Sequence, residues 1–272
     1  MKHQEFPPPE PLLDTVRCFW HNDQDHGPEL SSFEVIPDGY TEIIFHFGNG
    51  CSVMSDGVLI PLPSPFMIGL LDRPVKFYAQ GRSQILGIRC FPWTVFDLLS
   101  IPSGQNSINV LHHPIASLHS SLAELVHVGH INEAIEILTH HLLEMRSSVP
   151  HNSLLFKAGA AMLKANGKMP VSDVAEASHT TIRTLERNFK HSSGHTVKDV
   201  SALMRFEQVR NRLWLDHEVN LAALAHEAGY TDQAHLSREF KRYAGTTPAA
   251  FARKARQEKL DKAHFVAFVQ SS

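Results

Sequence analysis

Six residues recur in the same order fifty-one positions apart. Leu185, Arg187, Phe189, Lys190, Gly194 and Thr196 return as Leu236, Arg238, Phe240, Lys241, Gly245 and Thr247. The shared pattern, L-x-R-x-F-K-x-x-x-G-x-T, is an internal duplication. It constrains architecture more than any single motif, because each copy must be one supersecondary unit able to pack beside the other. It places two similar helical units in the last 120 or so residues of a 272-residue chain.

Each copy follows a short apolar helix signal and a turn. In the second, Leu221, Leu224 and Ala225 share a helical face, and Ala228, Gly229 and Tyr230 make the turn. Asp232 then stands as N-cap of a helix starting at Gln233. In the first, Val171, Val174 and Ala175 lead to Ser178 and His179, with Thr181 at the cap and a turn one residue shorter. Gly194 and Gly245 suit helix C-terminal turns that need positive φ. Two helices joined by a tight turn, the second turning Arg and small polar residues outward, form a helix-turn-helix. Two in tandem can reach successive major grooves roughly 34 Å apart. Between the copies, Val200, Leu203, Met204, Phe206, Val209 and Leu213 keep near-helical spacing, with Arg205, Arg210 and Arg212 interleaved. One long helix is expected to hold the units at a fixed distance.

Within each second helix the apolar positions must face the core, so the other face is what DNA can meet. In the first unit Ile182, Leu185 and Phe189 are expected inward, leaving Arg183, Thr184, Glu186, Arg187 and Lys190 outward. Arg grips guanine with two hydrogen bonds and Glu accepts from the cytosine amine, which makes Arg183, Glu186 and Arg187 the candidate base readers. In the second unit Leu236 and Phe240 point inward, and Gln233, Ala234, His235, Ser237, Arg238 and Lys241 form the contact set. There Gln233 suits adenine and Ala234 a thymine methyl. Two alternatives stay open: Arg187 and Arg238, at one place in both copies, can serve phosphates or the fold, and Glu186 can be a helix salt-bridge partner.

The stretch Leu224 to Arg242, L-A-H-E-A-G-Y-T-D-Q-A-H-L-S-R-E-F-K-R, followed by Gly245, Thr246, Thr247, Pro248 and Phe251, resembles the signature of the AraC/XylS transcription regulators. It departs from that pattern at Ala252, where the family often has Arg, leaving Arg253 for a terminal phosphate contact. It departs also at Val209, where a small residue is usual. The resemblance implies a sequence-specific DNA-binding transcription regulator, an activator controlled by a small-molecule effector. It implies double-stranded DNA, RNA polymerase and a second copy of the chain as partners.

Charge agrees. Residues 151–272 hold 18 Lys and Arg against 12 Asp and Glu, a balance of +6, whereas residues 1–150 hold 7 against 16, a balance of −9. The net charge of −3 thus conceals a basic half, and basic residues near phosphates supply affinity that falls with salt.

The first 110 residues read differently. After Pro7, Pro8, Pro9 and Pro11, short apolar runs alternate with Pro and Gly: 33–36, 41–47, 51–54, 58–60, 66–71, 75–78 and 85–91. Such punctuation argues for a β-sandwich or barrel. Helical periodicity returns from Ile115 to Met145, with one stripe of Leu118, Leu122, Leu125 and Val126 and another of Ile131, Ile135, Leu138 and Leu142. In regulators of the resembled family a cupin-like barrel followed by helices is a common sensor and dimerisation module. The stretches Ile36-Pro37-Asp38-Gly39 leading to Glu42, and Gly87-Ile88-Arg89-Cys90-Phe91-Pro92, resemble a poorly characterised N-terminal domain found in many of them. The fold expected is therefore α+β: a β-barrel or cupin-like domain with flanking helices over residues 1–148 (helices 115–146), an all-α tandem helix-turn-helix domain over 153–257, and a C-terminal tail at 258–272. The Ser147 to Pro150 stretch is the expected linker.

Alternation along two strands gives a candidate pocket. Glu42, Ile44 and His46 share one face and Ile85, Gly87, Arg89 and Phe91 another. If both faces point inward, Glu42, His46 and Arg89, walled by Trp20, Tyr40 and Trp93, can hold a small polar or aromatic ligand. The competing reading is a solvent-facing sheet, or a structural Arg89–Glu42 pair. Of the 19 histidines, His112 with His113 and His140 with His141 are adjacent pairs, unable to converge on an ion as an i, i+4 pair does. No H-E-x-x-H occurs, and no metal or cofactor is expected. Cys18, Cys51 and Cys90 are odd in number and widely spaced, which argues against a disulfide framework and for a reducing, cytoplasmic setting, and the family resemblance implies a bacterium. No apolar run approaches the ~18 residues of a membrane span. A cupin-like enzyme fused to a DNA-binding domain remains an alternative, as does an effector-independent regulator. With no G-x-S-x-G, P-loop or dinucleotide fingerprint, no catalytic residue is expected.

Overall fold

A computed structural model describes residues 2–93, 95–99, 101, 108–147, 154–216 and 218–261. Its N-terminal half contains ten strands: β1 (Lys2–Phe6), β2 (Val16–Asp25), β3 (Ser31–Val35), β4 (Thr41–Gly48), β5 (Cys51–Ser55), β6 (Val58–Pro61), β7 (Phe66–Ile68), β8 (Val75–Ala79), β9 (Arg82–Cys90) and β10 (Ile108–Val110). They form two antiparallel sheets, one ordered β1-β2-β9-β4-β7-β10 and the other β3-β8-β5-β6. The sheets do not close into a barrel. A second layer supplies the burial that closure would have given: helices α1 (Val95–Leu99), α2 (His119–His127) and α3 (Ile131–Arg146) cover the outer face of the six-stranded sheet.

Strand β4 shows why its sequence reads as a near-continuous apolar run. Ile43, Phe45 and Phe47 pack toward the helices with Leu122, Leu138 and Leu142. Ile44, on the opposite face, packs toward the smaller sheet with Phe66, Ile68 and Phe77. A central strand covered on both faces reads as a near-continuous apolar run instead of a strict alternation. Both apolar stripes of the 115–145 region are spent inside this chain: Leu122, Val126, Ile135, Leu138 and Leu142 are buried against the sheet.

The second half is helical: α4 (Leu154–Lys164), α5 (Val171–Ala177), α6 (Ile182–Ser193), α7 (Val197–Leu215), α8 (Leu221–Glu227), α9 (Gln233–Ala244) and α10 (Pro248–Asp261). The α5–α6 and α8–α9 pairs are the duplicated units, and the first turn is one residue shorter, as the sequence implies. Thr181 and Asp232 cap α6 and α9 by accepting from the backbone N–H of Thr184 and His235. Gly194 and Gly245 end those helices at φ of 75° and 68°, the left-handed region where a Cβ is penalised. All of the expected linker but Ser147, and residues 262–272 of the tail, lie outside the described residues.

The halves share a core. Phe91, Trp93 and Leu70 belong to the same buried cluster as Leu185, Phe189, Leu203 and Phe206. Trp93 stacks on Phe91 with ring centroids 5.1 Å apart and leans on Phe189 of α6. Its indole lies so close over Gly159 of α4 that a Cβ there would stand 2.0 Å from Nε1.

Candidate functional site

The exposed faces of α6 and α9 carry the duplicated basic residues. Arg183, Arg187 and Lys190 are exposed on α6, and Gln233, Ala234, Arg238 and Lys241 on α9. Among the described residues no carboxylate pairs with any of these five cations. Thr184, Ser237 and His235 are half-buried. The Thr184 hydroxyl accepts from the Thr181 cap, and the His235 ring meets Tyr230 edge-on at 5.3 Å. Both therefore have packing duties that limit their reach.

Two sequence expectations need correction. Ile182, read as inward, is 50% exposed, because the first turn of α6 projects beyond the core that Leu185 and Phe189 fill. Its side chain joins the outward face, at the place Gln233 occupies in the second copy. Glu186, read as a base reader, turns the other way: its Oε2 accepts from the backbone N–H of Val197 at 3.1 Å. It thereby satisfies an orphan donor in the first turn of α7, beside the Thr196–Asp199 capping box.

Helix α7 fixes the spacing of the two faces. Its 19 residues span roughly 28 Å at 1.5 Å per residue and are buried around nearly the whole circumference. Arg205 ties the units across it, donating to Gly167 O at 2.9 Å in the first and standing 3.6 Å from Glu239 in the second. Its guanidinium also lies over the Tyr230 ring.

In the N-terminal sheets the predicted set divides. Arg89 and Glu42 are directly opposite on β9 and β4 and both are buried. Arg89 donates through Nε to Glu42 at 2.7 Å and through Nη2 to Asp38 at 3.0 Å, while Trp20 Nε1 donates to the other Glu42 oxygen at 2.9 Å. Burial pulls the guanidinium pKa down, but Glu42 and Asp38 more than offset it and hold it above the ordinary value. Trp20 can lie there because its cross-strand partner is Gly87, where a Cβ would stand 1.9 Å from the indole. Trp20, Glu42 and Arg89 therefore form the structural pair and its lid.

His46 does not join them; its Nε2 contacts Leu62 O at 3.1 Å, and burial holds its pKa low. Tyr40 and Trp93 face instead a cleft of about 160 Å³ between the two halves, lined also by Phe91, Met204, Glu207 and Asn211. The loop from Pro37 to Tyr40 connects the two places. Asp38 holds Arg89, Pro37 O accepts from Arg210 of α7, and Gly39 packs on Leu203. Sequence reasoning missed Glu207, Arg210 and Asn211, which sit among apolar neighbours on a helix whose periodicity signalled only a core.

Residues 161–254 match a family model described as a helix-turn-helix domain, and residues 4–109 match one described as a domain of unknown function (DUF6597). The chain carries an AraC-type helix-turn-helix domain. The HTH-type transcriptional regulators RipA of Corynebacterium diphtheriae and RipA of Corynebacterium glutamicum are similar to it, at 29% identity over 82 residues and 28% over 97. Those matches cover 30% and 35% of this chain but only 24% and 29% of the two regulators, so the chain matches about a quarter of its relatives' length. Among solved structures, ToxT from Vibrio cholerae O395 aligns over 86% of this chain and 97% of its own, at 10% identity and a TM-score of 0.47. In this chain the helix-turn-helix domain packs on the two-sheet N-terminal half through the shared apolar core. No helix among the described residues is long and apolar enough to cross a membrane.

Proposed function

We propose that this chain is a sequence-specific DNA-binding transcription regulator, as the regulators it resembles are named, and not an enzyme. The observation that carries the reading is the pair of outward basic faces on α6 and α9, built from duplicated residues and held apart by one buried helix. Arg183 and Arg187 in the first unit, and Gln233, Ala234 and Arg238 in the second, are proposed to meet base edges or the flanking phosphates. Lys190 and Lys241 supply charge to the backbone, with Thr184, His235 and Ser237 in supporting contact. Ile182 adds an apolar group suited to a thymine methyl. Residues 1–148 are proposed as an effector-sensing unit and 153–257 as the reading unit, with 258–272 as a tail. The regulator would act in the cytoplasm as an activator that engages RNA polymerase, as a homodimer. Because the stripes on α2 and α3 are buried, a dimer would use another surface.

Selection of bound fragments from random duplex DNA tests the reading, with wild type beside Arg183→Ala and Gln233→Ala. The expected site has two blocks about one helical turn apart, each substitution relaxing a different block by about 1–3 kcal/mol of discrimination. Binding with no recurrent motif would refute it.

A further inference from the structure

The Trp20–Glu42–Arg89–Asp38 cluster between the sheets is paired internally, whereas two buried side-chain oxygens in the cleft between the halves are not. Glu207 is 8% exposed, lines the cleft, and its Oε1 has no hydrogen-bond partner among the described residues. Asn211, one turn further along α7, lines the same cleft with an unpartnered buried Oδ1. Residues i and i+4 lie on one helical face, about 6 Å apart, so both oxygens address one point. The two orphan atoms are both acceptors. Leaving buried acceptors unmatched costs about 1–3 kcal/mol each, so a group that donates to both is strongly favoured there.

The rest of the wall is aromatic and apolar: Tyr40, Phe91 and Trp93 from the N-terminal half, and Met204 from α7. Aromatic side chains lining a cleft suit an aromatic body and a nitrogen cation. A space of about 160 Å³ is of the size that holds a single six-membered ring, since roughly 150 Å³ accepts benzene. An ammonium has three donors and no acceptor, which matches a carboxylate oxygen beside a carboxamide oxygen and rejects a carboxylate ligand.

We infer that the cleft between the sheets and helix α7 is a binding site for a small arylalkylamine, its ammonium held by Glu207 and Asn211 and its ring against the wall of Tyr40, Phe91 and Trp93. The site touches both halves at once. Its ligand contacts the Pro37–Tyr40 loop that holds Arg89, and the helix that spaces the two reading faces. That an occupant would alter DNA binding rests on the function proposed above; occupancy itself does not.

The test is thermal unfolding of the full chain at about pH 8, without DNA, with benzylamine, benzyl alcohol and benzoate as probes at equal ionic strength. Benzylamine is expected to raise Tm saturably, and the alcohol and the acid to leave it unchanged. Glu207→Gln is expected to weaken the benzylamine response tenfold or more, and Asn211→Trp, which fills the cleft from its rim, to abolish it. The exposed Glu227→Gln should keep it. No response to benzylamine up to about 50 mM, an equal response to all three probes, or a full response in Glu207→Gln would overturn the assignment. Because no DNA is present, such a failure leaves the DNA-binding reading standing, and a chain that ignores DNA can still bind the amine.

Discussion

Glu207 is the residue whose environment departs furthest from what its type prefers. Burial pushes its carboxyl up to about 7; Arg210 pulls it down, Asp38 pushes it further up, and Arg89 and Arg17 oppose Asp38. In the unfolded chain the group titrates near its ordinary 4.5, so between those values unfolding releases a proton. The stability that the protonated carboxyl contributes is full below about pH 4.5 and lost as pH rises through 7, by roughly 3 kcal/mol at 1.36 kcal/mol per unit. Glu207→Gln removes that titration. Denaturant unfolding of both proteins from about pH 5 to 8 should show the variant gaining on wild type as pH rises, with most of the gain before neutrality. Parallel curves would mean that Glu207 is ionised and solvated. The Arg89–Glu42–Asp38 cluster poses the opposite case: its charges are equally buried but each is answered by a short hydrogen bond, so it specifies where the Pro37–Tyr40 loop sits without leaving an orphan.

At the scale of elements, the duplicated helices were legible because their signals are local. Caps at Thr181 and Asp232, glycines at 194 and 245 and the apolar pairs Leu185/Phe189 and Leu236/Phe240 each specify backbone or face within one or two turns. Glu186 was not, because its duty depends on where α7 begins, eleven residues later. Glu186→Ala is expected to cost about 1 kcal/mol in stability, the usual loss of a terminal cap, and to leave the selected DNA site unchanged. A changed site at the same stability would return Glu186 to base reading. Strand β2 escaped for a related reason. Its sequence, V-R-C-F-W-H-N-D-Q-D, buries His21 and Asn22 in the middle of a sheet and ends in exposed charge, so neither alternation nor an apolar run marks it. The candidate ligand set was half legible: alternation placed Glu42 and Arg89 on facing positions, but period alone could not say that Tyr40 and Trp93 look across to another domain.

For the whole molecule, the shared core decides how the halves respond to each other. Trp93 is 2% exposed and packs against α4 and α6, so truncating it opens the interface itself. Trp93→Ala is expected to cost about 3–5 kcal/mol and to split one calorimetric unfolding transition into two. A single, merely lowered transition would show that the halves are held by something else. The same rigidity governs the central claim, that two faces held by α7 read two successive grooves at one spacing. The most direct measurement is the affinity of the full chain for its selected site, compared with the same site carrying five extra base pairs between the blocks. Half a helical turn carries the second block to the far side of the duplex. The account predicts that affinity falls to that of a site with one block scrambled; undiminished affinity for the lengthened site would contradict it.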